Sequence, residues 1–522
     1  MTVETKQTFF RWLPWLIIAL GFILRLDQYL FNRSLWLDEA FFVVNVVDRT
    51  FLELFQAPLE YSSHIMPPGF LVMGKLSITL FGNSDFILRL YPFVCGVLSL
   101  VLFYQLAKLC ISAKAVPLAL FFFAISDYLI YYSSEFKQYS SDVTIVIALF
   151  LLAFNLRTHT LTYARLFLFT IAGMVAVWFS HVSVFILATI GIYLALPYLR
   201  NRQWQPLISL TVVYGIWLLN FAILYFLLIN VDTPSNEWLH QFWRGKDAFM
   251  PLPFSVEGIQ WLYDRFLLAM KNPGSLDNVQ VAGFVVIIGC ITMLANRKGT
   301  LFLLALPVLI ALIVSSFEKY VFHSRLILFL MPALYLIIAE GIVQLQVKLL
   351  AYPKTSIVTV AIQIILVVSL TDFPLHHRHV SQEIKPVLEY MQKNRQDKDT
   401  VYLYYWAEPA FRYYANFYHF NYDDCHIITP LPTKEYTNEV DYSRSKLGLK
   451  PVSVNETPCV LGISDSYRGS RRELDKLRGR VWFIFSHVSK HRLKMFIKHL
   501  DTRGTRLDEN IQPGAFAYLY KL

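Results

Sequence analysis

A series of long apolar runs, separated by short polar loops, constrains this chain more than any other feature of its sequence. A helix needs about 20 apolar residues to cross the hydrocarbon core of a bilayer. Because backbone polar groups in lipid must bond within their own segment, such runs fold as spanning helices. A shorter run, 68–81, follows Pro67-Pro68-Gly69 and is predicted to lie along the membrane interface. We predict about eleven spans, near residues 12–31, 90–109, 116–134, 142–156, 165–181, 182–199, 206–229, 279–294, 300–317, 325–345 and 355–371.

The composition supports a membrane protein. Only 16% of the 522 residues are charged and 56% are hydrophobic, whereas soluble domains carry about a quarter charged residues. The formal net charge of +10 comes mostly from short loops and the C-terminal region. That distribution indicates membrane topology and not a nucleic-acid-binding surface. Membrane lipids are therefore expected partners, and nucleic acid is not.

The basic residues also predict the orientation of the spans. If the N-terminus is cytoplasmic, the short outer loops carry only Lys137, Lys319 and Arg325. Cytoplasmic loops are enriched in Lys and Arg, and an odd number of spans places the C-terminal region outside the cytoplasm. Every predicted inner loop then carries a basic pair: Lys6 and Arg11, Lys108 and Lys114, Arg157 and Arg165, Arg200 and Arg202, Arg297 and Lys298, Lys348 and Lys354.

The C-terminal region alternates between helical and strand-like periods, which is typical of a small α/β domain. We therefore predict a polytopic α-helical membrane domain over residues 1–371 and an extracytoplasmic α/β domain over 372–522. Cys425 and Cys459 both fall in the second domain, and their pairing as a disulfide stays open. The predicted elements are helices at 383–394, 410–418 and 489–501 and strands at 401–406, 460–463, 481–485 and 515–520.

Two adjacent carboxylates, Asp38 and Glu39, follow the first span and are flanked by apolar residues. Carboxylates at a membrane surface are costly unless they are used or solvated. One interpretation is a general base that faces a lipid-borne substrate. The other is the start of a helix, where acidic residues suit the helix dipole. The residues alone leave both open.

The second outer loop carries Glu135, Lys137 and Tyr139. Glu135 and Tyr139 are one helical turn apart and share a face if the segment is helical. Lys137 either holds a phosphate or pairs with Glu135. Asp127, just before this loop, either lines the same cavity, caps a helix or faces a water-filled crevice.

Three further residues are predicted at the outer face: His64, His181 and Arg325. Each histidine is either a substrate-binding group or a hydrogen-bonded structural residue. Arg325 either meets a phosphate or extends its side chain to lipid headgroups. No metal-ligand spacing connects His181 with His323, so we expect no metal and no cofactor.

Several short motifs, in this order, resemble those of GT-C-fold glycosyltransferases, in the family 39-like group that contains protein O-mannosyltransferases and lipid A aminoarabinose transferases. The resemblance covers roughly residues 10–345, and only the general pattern extends into the C-terminal region. Lys137 replaces the arginine usual in that group, and Asp127 stands where a proline is common. The motifs are Trp36-Leu37-Asp38-Glu39, Pro67-Pro68-Gly69, Phe81-Gly82-Asn83-Ser84, Leu88-Arg89-Leu90, Pro92 with Gly96, Glu135-Phe136-Lys137-Gln138-Tyr139, Ser180-His181 and Ser324-Arg325 to Pro332.

The resemblance implies an enzyme that transfers a sugar, with inversion, from a polyprenyl-phosphate donor to an acceptor hydroxyl outside the cytoplasm. It implies that Asp38 is the base and that Glu39 either orients Asp38 or contacts the sugar. It also implies that Lys137 and Arg325 bind the phosphate. The other substrate-binding candidates are Glu135, Tyr139, His181, His64 and Arg89.

Two other functions are weighed against this one: a transporter or flippase, and an inactive scaffold whose C-terminal domain binds a partner. The clustering of charges in outer loops disfavours a transporter, and the Asp38-Glu39 pair disfavours a scaffold. The expected location is a bacterial inner membrane with the C-terminal domain periplasmic or extracellular, and the alternative is an internal eukaryotic membrane. The sugar and the lipid, glycan or protein acceptor are left open.

Overall fold

The computed structural model describes residues 3–56, 59–61, 66–229, 234–251, 255–350, 378–429, 451–454, 457–464 and 466–522. His64, the predicted span at 355–371 and the predicted domain boundary between 371 and 372 lie outside these ranges. The two-domain division therefore stays a prediction.

Eight of the predicted spans are helices long and apolar enough to cross a membrane. The run at 116–134 instead forms two short helices that meet at Ser126, and the run at 165–181 forms a helix of 17 residues. The helices of this part are α1 (Val3–Leu30), α2 (Leu37–Asp48), α3 (Pro68–Phe81), α4 (Asp85–Leu88), α5 (Leu90–Cys110), α6 (Val116–Ile125), α7 (Asp127–Tyr132), α8 (Tyr139–Thr158), α9 (Tyr163–Phe179), α10 (Ser183–Arg200), α11 (Trp204–Leu224), α12 (Pro234–Gly245), α13 (Val256–Lys271), α14 (Val279–Asn296), α15 (Lys298–Ser316) and α16 (Met331–Leu350).

The helix pair α14 and α16 shows how the spans pack. A Cβ atom added to Gly289 would collide with the carbonyl oxygen of Ile337, and one added to Gly341 would collide with that of Val285. Small residues let two helix backbones approach closely in a membrane, where apolar side chains gain little by leaving lipid. The two glycines therefore allow α14 and α16 to touch backbone to backbone.

The C-terminal region forms a six-stranded sheet in the order β2-β3-β1-β4-β6-β5. β1, β3, β4 and β2 pair in parallel, whereas β6 runs antiparallel to β4 and β5. Cys425 and Cys459 lie opposite each other on β2 and β3 and form a disulfide. The strands are β1 (Thr400–Leu403), β2 (Cys425–His426), β3 (Cys459–Leu461), β4 (Arg480–Ser486), β5 (Thr505–Gln512) and β6 (Ala515–Lys521), and the helices are α17 (Ile384–Asn394), α18 (Glu408–Tyr414), α19 (Tyr467–Leu474) and α20 (Lys490–Arg503).

Helix α2 belongs to the core of this C-terminal domain. Its apolar side chains, among them Phe41 and Phe42, are buried in one cluster with residues of β1, β4 and α18. The contact is also polar, since Glu383 accepts hydrogen bonds from the backbone N–H and the hydroxyl of Ser34. The segment after the first span is therefore held against the sheet, which fixes the position of Asp38.

Candidate functional site

A cavity of about 960 Å³ lies between the spans and the C-terminal domain. Its wall is formed by the start of α2, the end of α7, α12 and the residue after it, residues 323–325, and loops and the start of α20 in the C-terminal domain. It is lined by Trp36, Leu37, Asp38, Phe41, Tyr132, Trp238, Leu239, Phe242, Trp243, Lys246, His323, Ser324, Arg325, Ser381, Gln382, Trp406, His487, Val488, Ser489, Arg492 and Gly514.

Asp38 is the one carboxylate among the described residues that line this cavity. It stands in the first turn of α2 and forms an ion pair with the guanidinium of Arg325. Arg325 also lies over two aromatic rings, 5.0 Å from the centre of Trp36 and 5.8 Å from that of Tyr139. Its neighbour Ser324 has a left-handed backbone with φ 47°, a conformation that costs energy for a residue with a side chain. Arg325 is thus presented to the cavity by a strained turn.

Glu39 does not line the cavity and is fully buried. Both of its oxygens accept hydrogen bonds from Arg89, at 2.9 and 2.6 Å, and the backbone N–H of Phe136 donates to it at 2.7 Å. Burial alone would raise the pKa of Glu39, but the charges of Arg89 and Arg33 outweigh burial and hold that pKa below its usual value. Glu39 and Arg89 therefore form a buried ion pair, and neither residue lines the cavity.

Glu135 and Lys137 are also buried behind the cavity wall. Arg33 lies 3.7 Å from a Glu135 oxygen, and burial followed by the charge of Glu39 raises the pKa of Glu135. The Lys137 ammonium lies 4.2 Å from the centre of the Phe42 ring, and the residue is only 4% exposed. Neither residue lines this cavity, and their contact with a substrate stays a prediction.

The remaining predicted residues are placed at different distances from the cavity. Tyr139 is buried beneath Arg325, and Asp127 begins α7, where its carboxylate is hydrogen-bonded to Nε2 of His379. His181 lies in the turn between α9 and α10 and does not line the cavity; burial lowers its pKa to about 4. Of the predicted site residues that the structure describes, Asp38 and Arg325 are the two that reach the cavity.

Two parts of the cavity wall were not predicted from the sequence. One is α12 with Lys246, which contributes three aromatic rings, and the other is the set of C-terminal residues Trp406, His487 and Arg492. Glu237 to Lys246 is an amphipathic stretch with aromatic and basic side chains, a signal that could have been recognised. Aromatic side chains with a few polar groups are typical of a ligand cavity.

Within the ranges that the structure describes, no cluster of three or more His, Cys, Asp or Glu side chains suits a metal ion.

The similarity of this chain to known proteins lies in its fold. No protein-family model and no curated protein matches the sequence. The crystal structure of ArnT from Cupriavidus metallidurans bound to undecaprenyl phosphate matches with a TM-score of 0.55 at 10% identity, covering 97% of each chain. ArnT from the same organism in the apo state matches with a TM-score of 0.54 at 11% identity, covering 96% of this chain and 97% of its own. The chain therefore has the GT-C fold of ArnT, as its motifs predicted.

Proposed function

We propose that this protein is a membrane glycosyltransferase that takes a sugar from a polyprenyl-phosphate donor. The observation that carries the proposal is the Asp38–Arg325 ion pair at the wall of an aromatic cavity, in a chain with the fold of ArnT. A structure of ArnT holds undecaprenyl phosphate. A carboxylate beside a cation suits transfer from such a donor, since the reaction needs one base and a stabilised phosphate.

In the proposed reaction, the acceptor oxygen attacks the anomeric carbon and the bond from that carbon to the phosphate oxygen breaks, with inversion. The acceptor proton passes to Asp38, and polyprenyl phosphate leaves as an anion. No general acid is needed, because the leaving group is already stabilised. Cations beside the phosphate offset its developing charge. A positioned carboxylate acting as base typically contributes a factor of about 100 to 10,000.

In this proposal, Arg325 binds first the carboxylate of Asp38 and then the phosphate of the donor. While it is bonded to Asp38, the carboxylate is held but is a weaker base. A donor phosphate that enters the cavity competes for the guanidinium and frees Asp38 to accept a proton. Lys246 and Arg492, which also line the cavity, supply further positive charge for the phosphate in place of Lys137. Donor binding would therefore activate the base.

We further propose that the chemistry takes place outside the cytoplasm, in a bacterial inner membrane with a cytoplasmic N-terminus. The distribution of basic loop residues supports this orientation. The disulfide between Cys425 and Cys459 supports it independently, because disulfides persist in oxidising compartments. The proposed division into residues 1–371 and 372–522 places the disulfide in the outer domain.

The experiment that tests the function is single-turnover release of polyprenyl phosphate by detergent-purified protein. A panel of radiolabelled undecaprenyl-phosphate sugars is offered, with a crude membrane extract as the source of lipid, glycan and protein acceptors. Release of undecaprenyl phosphate from one donor, with the label transferred to an extract component, is the expected result. Movement of an intact donor across a vesicle membrane without bond cleavage would indicate a flippase and overturn the proposal.

A further inference from the structure

One histidine of the C-terminal domain, His487, lines the cavity. It directly follows β4, lines the cavity that holds Asp38, and has a left-handed backbone with φ 53°. Such a conformation is costly for a residue with a side chain and persists where the surrounding structure imposes it. Here the surrounding structure includes a hydrogen bond to Gln382 and the ring of Trp406, 6.2 Å away between centres.

A chain of hydrogen bonds determines which ring nitrogen of His487 carries the proton. The backbone N–H of Leu37 donates to Oε1 of Gln382 at 3.0 Å, and a backbone N–H cannot accept. The amide oxygen of Gln382 therefore faces Leu37, and its Nε2 faces Nδ1 of His487. Because an amide NH₂ group only donates, Nδ1 must accept, so the ring is neutral with its proton on Nε2.

The Nε2–H group of His487 has no hydrogen-bond acceptor among the described residues. The ring and Asp38 line the same cavity, and Gln382 connects His487 to Leu37, the residue directly before Asp38. Burial lowers the pKa of His487, and the charge of Asp38 offsets only part of this effect. The cavity therefore contains an unused, neutral hydrogen-bond donor beside its carboxylate.

We propose that His487 donates its Nε2–H to the acceptor hydroxyl oxygen whose proton Asp38 removes. The C-terminal domain thereby completes the acceptor side of the site, an inference that rests on the proposed function. A role at the donor phosphate would favour a charged ring. Gln382 opposes that charge, because it presents a donor to Nδ1.

The test compares His487→Asn with the wild type and with the control His419→Asn. His419 has the same kind of backbone, with φ 56°, and does not line the cavity. Asparagine tolerates this conformation and still offers an oxygen to Gln382, but it lacks the Nε2–H group. We expect His487→Asn to bind undecaprenyl phosphate like the wild type, to release it about tenfold more slowly, and to need more acceptor extract for half-saturation. His419→Asn should match the wild type in all three measurements.

Wild-type turnover by His487→Asn would overturn the inference and leave the proposed function intact. Weaker binding of undecaprenyl phosphate by His487→Asn would overturn the inference as well, because it would show that His487 contacts the carrier phosphate. Absence of donor cleavage by the wild type would overturn the proposed function and this inference together.

A second variant, Gln382→Glu, keeps the bond to Leu37 but presents an acceptor to Nδ1, which favours the charged ring. A charged ring would bind Asp38 and weaken it as a base. The other charged or titratable groups that line this cavity are unchanged: Arg325, Arg492, Lys246, His323 and Tyr132. The turnover of Gln382→Glu relative to the wild type should therefore fall as the pH is lowered from about 8 to about 6. A ratio that stays constant over this range would contradict the neutral-donor role.

Discussion

The guanidinium of Arg325 is bonded to the carboxylate of Asp38 across 287 residues of chain. Asp38 lies in the first turn of a helix that is buried under the C-terminal domain, whereas Arg325 lies at the start of the apolar span Ser324–Val347. The contact between Asp38 and Arg325 places a carboxylate base and a cation next to each other at the cavity wall. We therefore expect substitutions of the two residues to separate proton transfer from donor binding.

Asp38→Asn should abolish sugar transfer without abolishing donor binding. The amide keeps the size of the carboxylate but cannot accept the acceptor proton. Single-turnover release of undecaprenyl phosphate should fall by a factor of about 100 or more, while the affinity for undecaprenyl phosphate is retained. Asp127→Asn is the matched control, because Asp127 pairs with His379 outside the cavity. Equal release by Asp38→Asn and the wild type would remove Asp38 as the base.

Arg325→Lys should weaken donor binding. Lysine keeps the charge but loses the planar fork and the stacking on Trp36 and Tyr139. We expect the dissociation constant for undecaprenyl phosphate to rise about tenfold, measured by equilibrium binding in detergent. Arg378→Lys, at an exposed ion pair with Asp27, should leave that constant unchanged. An unchanged affinity of Arg325→Lys for undecaprenyl phosphate would show that other cations bind the phosphate.

Glu39→Gln should destabilise the protein. It leaves the charge of Arg89 buried with a neutral partner, and breaking a buried ion pair typically costs about 3–5 kcal/mol. Thermal or denaturant unfolding in detergent measures the loss. Glu389→Gln, at an exposed pair with Lys393, is the control and should change stability by less than about 0.5 kcal/mol. Similar small losses in both variants would contradict a structural role for Glu39.

The same ion pair predicts how stability depends on pH. Since the folded-state pKa of Glu39 lies below its ordinary value of 4.5, its contribution is present above that pH and is lost as the pH falls through the folded-state pKa. The wild type should therefore lose more stability than Glu39→Gln between about pH 5 and pH 3. Parallel losses in the two proteins would show that other carboxylates dominate acid unfolding.

The C-terminal disulfide predicts a chemical test of the location. Mass spectrometry of unreduced protein from its native membrane should find Cys425 linked to Cys459, with Cys95, Cys110 and Cys290 as free thiols. Reduction should lower the stability of the C-terminal domain by about 2–4 kcal/mol. Two free thiols at 425 and 459 would contradict an oxidising compartment for this domain.

Helices and strands with a clear hydrophobic period were predictable from the sequence. Eight spans and the strands near 401–403, 460–461, 481–485 and 515–520 agree with the structure, because burial in lipid or in a sheet imposes its own period. β5 was missed since it lies at the sheet edge and has few apolar residues. A helix that starts at Asp38 and Glu39 was one of two interpretations left open, and α2 confirms it. The extent of α2 was not predicted, because its apolar face is covered by residues more than 340 positions away in the chain.

The sequence by itself determined that this chain crosses a membrane many times. It also indicated that charged residues cluster in the outer loops. Asp38 and Arg325 were candidates for one site. The first two conclusions depend on local hydrophobicity and on residue type, which each segment carries alone, whereas the placement of Asp38 and Arg325 in one site was implied by the resemblance of their motifs to a known family. Only the tertiary structure decided that Glu39, Glu135 and Lys137 are buried behind the cavity and that Trp406 and His487 face it. Which side of a helix or loop meets the cavity depends on packing between segments far apart in the chain, and that packing is a property of the folded molecule as a whole.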